Sequence, residues 1–132
     1  AALITVPGAG SVEFVDVHPF PPLGSQVHDW TAALESFPPA SADRIRILAG
    51  DFNASLDHAA MRRFLSRGYA DSADRAGQGL IPTWPANKRI PPLITIDHVV
   101  VDRRVNVNAV SVHTVPGTDH RAVFADLRLP PS

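Results

Sequence analysis

The chain has 132 residues, 45% hydrophobic and 19% charged, which is the size and composition of one folded unit and excludes a wholly disordered chain. Lys and Arg number 12 against 13 Asp and Glu, a formal charge of -1, and this excludes a polybasic binder held chiefly by counterion release. The absence of cysteine removes disulfide scaffolds, thiolate zinc sites and cysteine nucleophiles, so a metal could be held only by Asp, Glu, Asn or His.

Proline marks where regular structure stops: Pro19-Phe20-Pro21-Pro22, Pro38-Pro39, Pro82 to Pro92 and Pro130-Pro131. Leu3 to Val6 and Val12 to Val17 read as strands joined by the turn Pro7-Gly8-Ala9-Gly10. Ser25 is placed to cap a helix reaching about Phe37, with Val27, Trp30, Ala33, Leu34 and Phe37 on one stripe. Ile45 to Ala49 is a short strand ending at Gly50. Asp57 is placed to cap a second helix that turns Met61, Phe64 and Leu65 inward, turns Arg62, Arg63 and Arg67 to water, and stops near Gly68. Asp71 to Pro92 reads as a long irregular stretch, a length often given over to function. Ile94 to Val101, an alternation at Val105, Val107 and Ala109, and another from Val123 through Ala125 and Leu127 to Leu129 close the chain as strands. The order implies an α/β arrangement rich in antiparallel pairing. No run of 18 apolar residues and no signal-peptide pattern is present, and no membrane contact is expected from this segment.

Asp, Asn or His ends apolar runs at Val15-Asp16-Val17-His18, Gly50-Asp51-Phe52-Asn53, Ile96-Asp97-His98-Val99 and Gly117-Thr118-Asp119-His120. Singly, each has an ordinary explanation. His18 can end a strand, Asp51 and Asn53 can close a turn on their own backbone, and Asp119-His120 can cap a loop. Asp97 is harder to explain that way, because a carboxylate within a run of Ile and Val needs a cationic or donor partner. His98, on the opposite strand face from Asp97, reads as structural, as do His28, His58 and His113. Together the four segments form a chemical set. Asp51, Asn53 and Asp119 offer hard oxygen donors suited to Mg²⁺ or Mn²⁺. His120, its tautomer fixed by a buried carboxylate such as Asp97, is a candidate acid or base.

The run Val17-His18, Gly50-Asp51-Phe52-Asn53-Ala54, Thr83-Trp84-Pro85, Ile96-Asp97-His98-Val99 and Thr118-Asp119-His120-Arg121-Ala122-Val123 resembles the C-terminal half of the endonuclease/exonuclease/phosphatase family, the DNase I-like fold. The resemblance implies the second half of a four-layer α/β sandwich: one mainly antiparallel sheet with helices on one face, making residues 1–132 a single partial domain entered at its middle strands. It implies catalytic roles for five residues. His18 and Asn53 would contact the phosphate, Asp51 would position the attacking water, Asp97 would orient His120, and His120 would act as acid, base or transition-state stabiliser. Asp51, Asn53 and Asp119 would form the metal set, and Trp84 would stand at the substrate rim.

The family's chief Mg²⁺-binding glutamate has no counterpart, since Glu13 and Glu35 both fall after the point where it belongs. Mg²⁺ or Mn²⁺ is therefore expected to bind weakly. The implied function is metal-dependent phosphoester hydrolysis within a longer parent protein, with this segment feebly active or inactive. The alternative is a non-catalytic binding domain that keeps the fold. The substrate stays open between nucleic acid, phospholipid or inositol phosphate, and a small phosphodiester; Arg62, Arg63, Lys88 and Arg89 could form local basic patches. The apolar faces of the Val12–Val17, Ile94–Val101 and Val123–Leu129 strands would ordinarily pack on a second sheet. Left open, they would exceed what monomers usually expose, and a two-fold homodimer, or association with the other half, is expected.

Overall fold

The structure, a computed structural model, describes residues 1–86 and 89–132; Lys88, named above in a basic patch, lies outside them. Strands β1 (Ala2–Val6) and β2 (Gly10–Val17) pair as an antiparallel hairpin. A 3₁₀ turn (Gly24–Gln26) leads into helix α1 (Val27–Ser36), followed by β3 (Ile45–Asp51), α2 (Ala59–Leu65), β4 (Tyr69–Asp71), a short α3 (Ser72–Arg75), β5 (Asp97–Asp102), β6 (Asn106–Thr114) and β7 (Arg121–Arg128). The larger sheet has the order β1-β2-β3-β5-β4, and β6 and β7 form a separate two-stranded sheet. The β2–β3 pair is parallel, with α1 as its crossover, and the other described pairs are antiparallel. The expected mainly antiparallel α/β architecture is the one observed.

Alternate residues of each strand point to opposite faces, and the two faces build two cores. On one, Val17, Leu48 and Val100 meet Trp30 and Leu34 of α1 and Met61 and Phe64 of α2, with Phe52 and Tyr69 filling between. On the other, Val12, Ile45, Ile47, Val101 and Val105 are covered by Val107, Leu127 and Leu129. The apolar side of β7, expected to lie open, is thus half-buried on the chain's own larger sheet. What stays uncovered is a corner at the β1–β2 edge, where Ile4 is 46% and Phe14 36% exposed.

Several local expectations are corrected. Ser25 lies inside the 3₁₀ turn, and the residues at the caps of α1 and α2 are Gln26 and His58, neither making a side-chain capping bond. Arg67 is half-buried because its guanidinium donates to the Glu35 carbonyl. The stretch read as irregular from Asp71 onward contains the end of β4 and α3, whose N-terminus Asp71 caps by accepting from Asp74 N at 2.8 Å. Strand β5 begins at Asp97 rather than Ile94 because the preceding backbone pairs elsewhere: Ile94 bridges to Trp84, and the Thr83 hydroxyl accepts from Ile96 N and Asp97 N at 3.0 and 3.2 Å.

Candidate active site

Strand register assembles the site. Val17 pairs with Gly50, so His18 follows β2 toward the end of β3, and Asp51 stands directly opposite Asp97 on β5. The parallel β2–β3 approach is close enough that a Cβ on Gly50 would lie 2.1 Å from the Val17 carbonyl oxygen, and Gly50 has φ 144°. Glycine is therefore required one residue before Asp51. Beyond Asp51 the chain turns through Asn53, whose φ of 48° is left-handed, a region Asn enters more readily than other side-chain-bearing residues. The turn is closed by Asp51 Oδ1, which accepts from Asn53 N at 2.8 Å, and the Asn53 amide donates to the Pro19 carbonyl at 2.9 Å.

The third contribution comes from the start of β7. Thr83 ties it down, its carbonyl accepting from Arg121 N at 2.7 Å, and the Asp119 carbonyl accepts from Ala86 N at 2.7 Å. His120 Nδ1 then lies 3.1 and 2.9 Å from the two Asp97 oxygens. Its Nε2 is directed at Asp51 Oδ2 (3.8 Å) and Asp119 Oδ1 (3.9 Å), while His18 Nε2 approaches the same Asp51 oxygen at 3.6 Å. The Trp84 indole donates to Asp119 Oδ2 at 3.2 Å.

Two carboxylates paired across strands repel, and here the His120 imidazole reaches both, Asp97 through Nδ1 and Asp51 through Nε2. Burial acts against charge on His120, yet the hydrogen bond and charge of Asp97, with Asp51 and Asp119 behind, hold its pKa above the usual histidine value. Asp51 is pushed above the ordinary carboxylate range chiefly by burial, with Asp97 adding to it; the Asn53 N–H, His120 and His18 pull the other way. One ring nitrogen of His120 is thus held on Asp97 while the other faces Asp51, whose carboxylate burial makes more basic.

Asp51, Asp97 and His120 carry donor atoms within 4.8 Å of one another. Of the expected metal set only Asp51 is in this group. Asp119 stands beside it at the Trp84 rim, and Asn53 flanks the cavity that Trp84 and His120 also line. Hard carboxylate oxygens suit Mg²⁺ or Mn²⁺, and within this group Asp51 and Asp97 supply them. Glu13 is bound to Arg46 at 2.6 Å, and Glu35 lies 3.8 Å from Arg63; both lie outside this group.

Two features had no clear mark in the sequence. Thr83, fully buried, positions Asp97 from a loop; the Thr83-Trp84-Pro85 run belongs to the resemblance, but nothing in it marks the hydroxyl as a support of β5. His98 bridges Asp71 Oδ1 (2.9 Å) and the Ala54 carbonyl (2.6 Å) beneath the Asn53 turn, consistent with its structural reading. His58, also read as structural, packs edge-on against Trp30 and lines the same cavity as Asn53.

The model of the Endonuclease/Exonuclease/phosphatase family matches residues 4–120. Among solved structures, an endonuclease/exonuclease/phosphatase from Beutenbergia cavernae DSM 12333 is 25% identical, with a TM-score of 0.69 over 96% of this chain and 38% of that one. D. rerio TDP2, complexed with single strand DNA product, is 19% identical with a TM-score of 0.71 over 96% of this chain and 59% of that one. The mannosyl-6-phosphatase Bt3783 of Bacteroides thetaiotaomicron VPI-5482 is 20% identical with a TM-score of 0.63, over 90% and 52%. The likeness to the last two shows a shared fold, and the chain spans about two fifths to three fifths of the length of these neighbours. No curated protein matches.

Proposed function

The chain belongs to the endonuclease/exonuclease/phosphatase family, and from that premise we propose that it carries the second half of a metal-dependent phosphoesterase site. The observation that supports this best is the meeting of three strand ends, which gathers Asp51, Asp97 and His120 within 4.8 Å beside Asn53. In this reading the phosphate is held by Asn53 and His18, and a water is oriented by Asp51. The water oxygen forms the new P–O bond, its proton passes to Asp51, the ester P–O bond breaks, and the departing oxygen takes a proton from solvent. His120, whose charged form Asp97 favours, stabilises the charge that gathers on the phosphoryl oxygens. Mg²⁺ or Mn²⁺ near Asp51, Asn53 and Asp119 would supply further Lewis-acid stabilisation when bound.

Glu13 and Glu35 are held elsewhere by arginines, so turnover by this chain is expected to be feeble. The same fact favours, as a second reading, a domain that binds phosphoesters without cleaving them. The test is Mg²⁺-dependent hydrolysis of bis(p-nitrophenyl) phosphate by the full chain. His120→Ala and Asp51→Asn should each lower the rate by about 10²-fold or more, and chelation of the metal should abolish it. Phosphate binding with no turnover would favour the second reading; turnover unmoved by both substitutions would overturn the site assignment.

A further inference from the structure

On the side away from the Asp51, Asp97 and Asp119 carboxylates, Asn53 and His120 face apolar surface. They open onto a cavity of about 430 Å³ whose other walls include Pro21, Pro22, Leu23, Trp84, Ile94 and Ile96. Among the described residues its lining includes no Lys or Arg. Ile94 also borders a second, smaller cavity, where Ser55, Asp57 and Thr95 stand beside the apolar Leu80 and Leu93. These side chains are exposed to an unusual degree for their type: Leu80 88%, Leu23 68%, Leu93 63% and Ile94 43%.

Proline stiffens one wall, and Trp84 is fixed opposite by its bond to Asp119, so the cleft does not need a ligand to form it. A pocket made this way stabilises a ligand by removing apolar surface from water. Beyond His58 and His120, the described lining offers a polyphosphorylated sugar no basic side chain for its further phosphates. A nucleic acid strand would meet neither the basic groove nor the series of stacking aromatics that such strands use. We propose that this cavity and its leucine rim take the alkyl or acyl chain of an amphiphilic phosphoester whose phosphate sits at Asn53 and His120. The inference rests on the phosphoesterase reading for the phosphate end and on the cavity alone for the chain.

The test is calorimetric titration of the full chain, with Mg²⁺ present, by n-alkyl phosphates from ethyl to octyl below their micellar concentrations. Affinity should rise by about fourfold for each methylene that enters the cavity. In Leu23→Asp and Ile94→Asp the series should flatten, so that octyl phosphate binds no better than ethyl phosphate; both side chains are exposed, so the charge does not enter a core. A flat series in the unsubstituted chain, or tighter binding of a nucleoside 5′-monophosphate than of octyl phosphate, would overturn the apolar subsite while leaving the phosphoesterase reading standing. A chain-length dependence untouched by both substitutions would also overturn it. Failure to bind any alkyl phosphate, ethyl included, would overturn both. Flotation with phosphatidylcholine vesicles containing phosphatidic acid separates the sources of the chain. Flotation lost in Leu80→Asp supports a chain presented by a bilayer, and no flotation with the alkyl series intact supports a soluble amphiphile.

Discussion

His98 illustrates how a single residue can carry a site it does not touch. Both of its ring nitrogens face acceptors, Asp71 Oδ1 at 2.9 Å and the Ala54 carbonyl at 2.6 Å. A neutral imidazole donates only once, so the ring carries two protons and its charge is paired with Asp71. Burial opposes that charge, but the hydrogen bond and charge of Asp71, aided by Ala54, raise the pKa above the ordinary histidine value. The sign follows. With the folded value above the unfolded one of about 6.5, the stabilisation is complete below about pH 6.5 and is lost as pH rises through the raised value. The melting temperature of the chain should therefore fall as pH rises above about 6.5, and fall less in His98→Gln. His120 contributes with the same sign in both proteins, so the difference isolates His98. Equal falls in the two proteins would show that His98 is not charged. At this scale the sequence was informative about Asp97, whose need for a partner followed from its apolar neighbours, and uninformative about Ala54 and Asp71 as the partners of His98. Those contacts join positions far apart in the chain, which local pattern does not encode.

Among the elements, the described residues Pro82 to Ala86 and Ile94 to Ile96 do much to set the geometry of the candidate site while having little regular structure. They bridge to one another at Trp84 and Ile94, accept from Arg121 N at the start of β7, and support β5 through the Thr83 hydroxyl. Thr83→Val keeps the volume of the side chain and removes the acceptor, leaving the Ile96 and Asp97 N–H groups unpaired. We expect a loss of about 1–3 kcal/mol in urea unfolding, and a fall in turnover because Asp97 is less firmly placed under His120. Unchanged stability with unchanged turnover would mean that the hydroxyl does not support β5. The long strands and helices α1 and α2 were legible because their apolar spacing matches one period over several residues. Strand β4 and helix α3, three and four residues long, are too short for any period to show. The helix starts were misplaced at Ser25 and Asp57 because a capping residue type is only permissive, and neither α1 nor α2 makes a side-chain capping bond.

For the whole molecule, the question is what covers the corner that the β6–β7 hairpin leaves open. Leu127 and Leu129 lie over Val12 and Ile45, so the second face of the sheet is closed along much of its width, contrary to the fully open face that strand alternation alone implied. Toward β1 the cover ends. Ala2 pairs with Phe14, and Ile4 with Val12, which sets Ile4 and Phe14 on this same face, 46% and 36% exposed. Solved neighbours of this fold are longer chains, of which this one spans about two fifths to three fifths. We propose that the 132 residues are one partial domain and that a second copy takes the open corner when no other polypeptide does, in a two-fold arrangement that sets like patch on like patch. Sedimentation equilibrium at micromolar concentration should then give twice the 14.2 kDa of the chain. Ile4→Asp with Phe14→Asp should return it to one, because each buried carboxylate would lack a partner. A mass of 14.2 kDa for the unsubstituted chain would overturn the dimer and would mean that the hairpin by itself is cover enough for this face.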